Sequence, residues 1–99
     1  RERETMGLID ALAKCTILPA KVIDYCTPQI AAKGRLRAGF DADVAVFDYD
    51  RLTDRASFEA MNRPSDGVVH LLVGGQAVIA DGRLDTGASP GRPIRRPLT

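Results

Sequence analysis

The apolar residues of this chain change their spacing once, around Gly34, and any fold must accommodate that change. Before it, Leu8, Leu12 and Cys15 recur at helical intervals with Ile9 and Ala13 beside them, the pattern of a helix with one apolar face. Thr5 stands where an N-cap would, its hydroxyl suited to a free N–H of the first turn. Thr16 and Pro19 then break the run, and Pro19 suits the first turn of a second short helix, where its missing N–H has no partner to lose. That helix is expected to run through Val22 and Ile23 to about Tyr25, with Pro28 as its stop. After the change, Val44–Phe47 is a continuous apolar run between Asp43 and Asp48, as in a strand buried on both faces. Val68–Val73 is a second apolar run. Gly74-Gly75 turns the chain, and residues 77–80 return as the other arm of a hairpin. Asp81-Gly82 is a further turn signal.

Between the first strand and the hairpin, residues 50–66 are polar, with Phe58 and Met61 as the large apolar exceptions. A surface excursion carrying a short helix over residues 57–61 fits them. From Gly87 the chain is rich in Pro, Gly and Arg and reads as an extended tail. The expected class is α+β: two N-terminal helices followed by a small antiparallel or mixed sheet. Three or four strands cannot close a sandwich, and the edges of so small a sheet expose unpaired N–H and C=O groups. A chain of 99 residues is one small domain at most, burying roughly 60–65% of its unfolded surface.

Fourteen basic and 13 acidic residues give a formal net charge of +1, so nothing demands a nucleic acid or an anionic membrane as partner. No apolar run approaches the roughly 20 residues of a membrane span. The opening Arg1-Glu2-Arg3-Glu4 has neither an initiator methionine nor an apolar signal region behind it. The expectation is a piece of a longer cytoplasmic protein. Cys15 and Cys26 form no C-x-x-C pair and are expected as free, half-buried thiols on helices.

The order of landmarks resembles the C-terminal stretch of the amidohydrolase superfamily. Thr16-Ile17-Leu18-Pro19-Ala20 is similar to its T-x-x-P-A boundary. Lys33-Gly34-Arg35-Leu36 and Gly39-Phe40-Asp41-Ala42-Asp43 are similar to its K-G-x-[IL]-x-x-G-x-x-A-D turn, and Val44-Ala45-Val46-Phe47-Asp48 to the strand that follows. The later blocks, Thr53-Asp54-Arg55-Ala56-Ser57-Phe58, Gly67-Val68-Val69-His70-Leu71-Leu72-Val73 and Thr86-Gly87-Ala88-Ser89-Pro90-Gly91-Arg92, resemble the ending of D-aminoacylases, the N-acyl-D-amino-acid deacylases. Gly74 stands where the family has asparagine, and both residue types tolerate positive φ. Ala31-Ala32 before Lys33 is less turn-like than the family's usual residues.

This resemblance implies a two-part enzyme: a metal-bearing (β/α)₈ barrel and a small β-sandwich built from both ends of the polypeptide. A barrel alone needs about 200 residues or more. Residues 1–30 would then be a helical segment that packs on the barrel, and residues 31–99 the C-terminal portion of the sandwich. Zinc or a similar divalent metal would belong to the barrel. The partners expected are the rest of the parent polypeptide and, for the chain alone, further copies joined through open strand edges or helix faces. A free-standing module that adds a partner strand to its sheet edge is the alternative.

The residues themselves supply no catalytic set. Amide hydrolysis at a zinc-type centre takes at least three protein ligands, usually His and carboxylate, and His70 is the single histidine. It is expected in a structural role. Asp41, Asp43, Asp48 and Asp50 resemble a calcium loop until Ala45 and Val46 fall where a ligand and a glycine are required, so Asp41 and Asp43 are expected to bond local backbone N–H groups. Ser57, Ser65 and Ser89 lack a G-x-S-x-G setting. The glycines form no phosphate-binding loop, and Arg92, Arg95 and Arg96 read as a solvated tail. No catalytic, cofactor-binding or metal-ligating residue is therefore assigned, and the chain alone is expected to be inactive.

Overall fold

The computed structural model describes residues 4–98. It is α+β, a bent helix in two pieces followed by a four-stranded antiparallel sheet. The chain forms two compact units: one takes the described residues up to Asp43 together with those from Gly91 onward, and the other is Val44–Pro90.

In the helical unit, α1 spans Leu8–Cys15 and α2 spans Ile17–Ile23. The first helix starts later than Thr5 predicts. Gly7 is the N-cap and no side chain caps the helix; the Gly7 carbonyl accepts the first helical bond, from Ala11 N at 3.0 Å. Asp10 in the first turn and Lys14 in the last complement the helix dipole. The break at Thr16 has two causes. Its hydroxyl donates to the Leu12 carbonyl at 2.6 Å, which competes with the helical ladder. Three residues on, Pro19 has no N–H to offer the Cys15 carbonyl, so an unbroken helix would lose that bond. Thr16 takes φ −129° and ψ −86° at the bend.

The second helix closes at Ile23, before Tyr25, and Pro28 proves to be a start as well as a stop. It opens a 3₁₀ turn, Pro28–Ala32, at the first position, where its fixed φ fits. Ala20 and Ile30 are the buried apolar residues of the described chain, and both belong to this unit. No residue of α1 is buried.

The sheet unit is a meander in which β1 (Val44–Phe47), β2 (Val68–Val73), β3 (Gln76–Ala80) and β4 (Arg83–Leu84) pair in sequence order, all antiparallel. Gly74 and Gly75 both have positive φ, 57° and 81°, which a two-residue turn of the primed type requires. Asp81 and Gly82 repeat that geometry before β4. The strand β1 is an edge whose register shifts between Val46 and Phe47. It is not buried on both faces: Ala45 and Val46 are exposed, because within this unit one sheet layer stands without a second.

The excursion from β1 to β2 is pinned at its base. Asp48 N donates to Gly67 O at 2.8 Å, and Thr53 and Asp66 exchange both backbone bonds. Residues 57–61 form no helix. Ser57 and Ala60 bond reciprocally through their backbones, which uses the N–H groups a helix would direct along its axis, and Phe58 and Met61 are exposed.

Candidate functional site

The residues that carry the resemblance within the helical unit converge on one node. Gly34 has φ 69°, and a Cβ built on it would lie 2.7 Å from the Thr16 carbonyl oxygen and 3.2 Å from the Ala20 side chain. Glycine is required there twice over, for the conformation and for the approach of the chain to the helix bend. Lys33, beside it, reaches Asp43 Oδ2 at 2.6 Å and Asp41 Oδ2 at 3.0 Å. The hydrogen bonds to Asp43 and then to Asp41 hold the Lys33 ammonium above the usual lysine range, against a smaller opposing effect of burial. Arg35 donates to the Ala31 and Lys33 carbonyls and approaches Asp24 Oδ2 at 3.5 Å. The T-x-x-P-A boundary, the K-G turn and the D-A-D turn are thus one packed and ion-paired cluster.

Beyond the local role expected of them, Asp41 and Asp43 engage an ammonium, because Lys33 precedes them in a turn that brings it back: Asp41 N donates to Ala32 O at 3.2 Å. Asp48 bonds the local backbone, its Oδ1 accepting from Asp50 N at 3.1 Å and Arg51 N at 3.4 Å. Opposite charges eight and ten residues apart across a Gly-rich turn were the available signal for the Lys33 cluster.

His70 lies on β2, and its Nδ1 accepts from Asp81 N at 3.3 Å. That bond requires a ring whose Nδ1 carries no proton. The imidazole ties the strand to the turn after β3, and Nε2 is 3.7 Å from Asp81 Oδ1, too long for a hydrogen bond. Ser65 lines an open polar cleft of the sheet unit, with Asp48, Arg51, Thr53, Arg55 and Asp66. Arg55 Nε meets Asp66 Oδ2 at 2.6 Å there, so these two charges offset each other. His70 does not line this cleft. Ser57 closes its own turn: its Oγ accepts from Ala60 N. Cys15 and Cys26 are free thiols, Cys15 exposed and Cys26 half-buried.

A divalent metal needs three or more converging donors. Among the described residues no group of three or more His, Cys, Asp or Glu could hold one, and the acidic pair nearest to doing so is held by Lys33. The donor set among the described residues does not fit a hydrolytic metal. No helix among the described residues is long and apolar enough to cross a membrane.

Residues 1–79 match the amidohydrolase family. The chain is 43% identical over 96 residues to an N-acyl-D-glutamate deacylase of Alcaligenes xylosoxydans xylosoxydans, covering 97% of this chain and 18% of that protein. It is 33% identical over 94 residues to an N-acyl-D-aspartate deacylase of the same organism, covering 95% of this chain and again 18% of the relative. The chain therefore spans less than a fifth of the length of the curated relatives it matches. No solved structure matches it.

Proposed function

Because the chain belongs to the amidohydrolase family, we propose that it is the non-catalytic C-terminal portion of a metal-dependent hydrolase that deacylates N-acyl-D-amino acids. The observation that carries this reading is the 43% identity to an N-acyl-D-glutamate deacylase over nearly the whole chain. In the reaction, water adds to the acyl carbon, the amide C–N bond breaks, and a carboxylate and a free D-amino acid leave. The acid, base and metal donors for that step belong, on this reading, to the remainder of the parent polypeptide. What the present residues supply is support: a helix bend, an ion-paired turn and a sheet.

The two relatives are named for substrates with an acidic side chain, which makes N-acyl-D-glutamate and N-acyl-D-aspartate the first substrates to try. The test compares this chain alone with its parent polypeptide in an amine-release assay and by metal analysis. The parent is expected to release the D-amino acid and lose activity to a chelator, and the chain alone to do neither. One zinc per chain, with turnover that disappears on its removal, would sink the support reading.

Leu8, Leu12, Leu18 and Val22 on the helices are exposed, and the sheet has β1 and β4 as edges. Apolar surface gains about 25 cal/mol per Å² on burial, so the rest of the parent polypeptide is the expected cover. Without it, the isolated chain is expected to self-associate, which light scattering at micromolar concentration would detect. A strict monomer that binds no hydrophobic dye would overturn this part.

A further inference from the structure

The chain leaves the helical unit after Asp43 and rejoins it at Gly91. Both passages are fastened to one short stretch, the 3₁₀ turn and the lysine that follows it. On the outward passage, Ala32 O accepts from Asp41 N, and Lys33 holds Asp41 and Asp43. On the return, the Gln29 side-chain oxygen accepts from Arg95 N at 3.2 Å, across 66 residues of sequence. Residues 91–98 have no helix or strand, and all are exposed. Such a segment gains little from burial, so its attachment rests on specific hydrogen bonds and on a low cost of ordering. Pro90, Pro93 and Pro97 lower that cost by fixing φ in the unfolded chain too.

We infer that residues 91–98 form a strap across the helical unit and that the Gln29 amide oxygen is its catch. The strap is released by losing one acceptor, and the 3₁₀ turn that presents this acceptor also anchors the outward passage.

The sequence provides a probe confined to the strap. Trypsin cleaves after arginine except before proline, so the bonds after Arg92 and Arg96 resist it, and Arg95–Arg96 is the bond in the strap that it can cut. That bond adjoins the amide Gln29 holds. When opening is fast relative to cleavage, the rate follows the open population. Losing one ordinary hydrogen bond raises that population roughly two- to tenfold. Gln29→Ala in the intact chain is therefore expected to speed cleavage at Arg95–Arg96 by that factor, with the rate at Arg83–Leu84 unchanged as internal reference. Gln29→Glu keeps an acceptor oxygen and is expected to cleave near the wild-type rate. A wild-type rate in Gln29→Ala, equal acceleration at both bonds, or a Gln29→Glu variant as fast as Gln29→Ala would each overturn the strap.

Discussion

The two units of the chain are held in different ways. In the helical unit, Gly34 lies against the Thr16 backbone and Lys33 reaches two carboxylates. Residue identity matters at each position: a side chain at Gly34 would overlap the Thr16 backbone, and the pairing at Lys33 needs a cation. In the sheet unit, the strands are joined through backbone bonds that most side chains would allow, and identity matters mainly at the turns and at Gly67. Gly34, Lys33, Asp41 and Asp43 belong both to the motifs that resemble the superfamily and to this close-packed, ion-paired cluster. Strands carry apolarity instead, which many proteins share.

The glycines provide the largest test of this contrast. Gly34 has φ 69° with backbone atoms inside 3 Å of a would-be Cβ; Gly67 has φ 95°, and its Cβ would lie 2.5 Å from Leu52 Cα and N; Gly39 has φ 83° but open space around it. A non-glycine residue in such a conformation costs about 1–3 kcal/mol, and forced overlap adds about 1–3 kcal/mol more. Gly34→Ala and Gly67→Ala are expected to cost about 2–6 kcal/mol each, a large part of a total stability of about 5–15 kcal/mol. Gly39→Ala is expected to cost only the conformational part. Urea melts of the three variants decide the matter. If Gly34→Ala costs no more than Gly39→Ala, the close approach at the helix bend is wrong.

Lys33→Met tests the ion-paired turn and is expected to cost on the order of 1 kcal/mol, because all three groups are partly exposed and solvent screens them. Its pH dependence has a definite sign. The folded lysine is raised above the ordinary value of 10.5 by Asp43 and then Asp41. Its contribution is therefore complete below that value and is lost as pH climbs through the higher folded one. The stability difference between wild type and Lys33→Met should stay level through neutral pH and shrink above about 10.5. A difference that is already shrinking at neutral pH would mean that Lys33 is not held as described.

Helical spacing and apolar runs were enough to place α1, α2, β1 and the β2–β3 hairpin from sequence, because periodicity records which face a residue presents. Turn chemistry placed Gly74-Gly75 and Asp81-Gly82, where positive φ leaves few choices. Sequence places the start of α1 too early because Thr5 has the chemistry of a cap, and it does not reveal that Gly7 is used instead. The Lys33 cluster is hidden from sequence for a related reason. Asp41 and Asp43 are turn-forming residues locally, and their pairing with Lys33 depends on how the chain doubles back. The apolar run of β1 predicts more burial than it has, because such a run reports the environment a strand suits, whereas exposure depends on what else is present.

That last difference gives the smallest expected effect and links it to the proposed parent. Val46 is 44% exposed on an edge strand, opposite His70. In the isolated chain, Val46→Asp leaves its carboxylate in water and loses chiefly strand preference, a scale that spans about 1 kcal/mol. The expected change is therefore at most about 1 kcal/mol, readable as a small shift in the urea midpoint with an unchanged slope. In the parent polypeptide, a second sheet layer over β1 would bury the same carboxylate without a partner, at a cost of several kcal/mol. The same substitution, measured in both contexts, reports whether β1 is covered. A small effect in the chain and a large one in the parent would place further strands against Val44–Phe47. Equal small effects would leave β1 an open edge in both, and the composite sandwich would have to be abandoned.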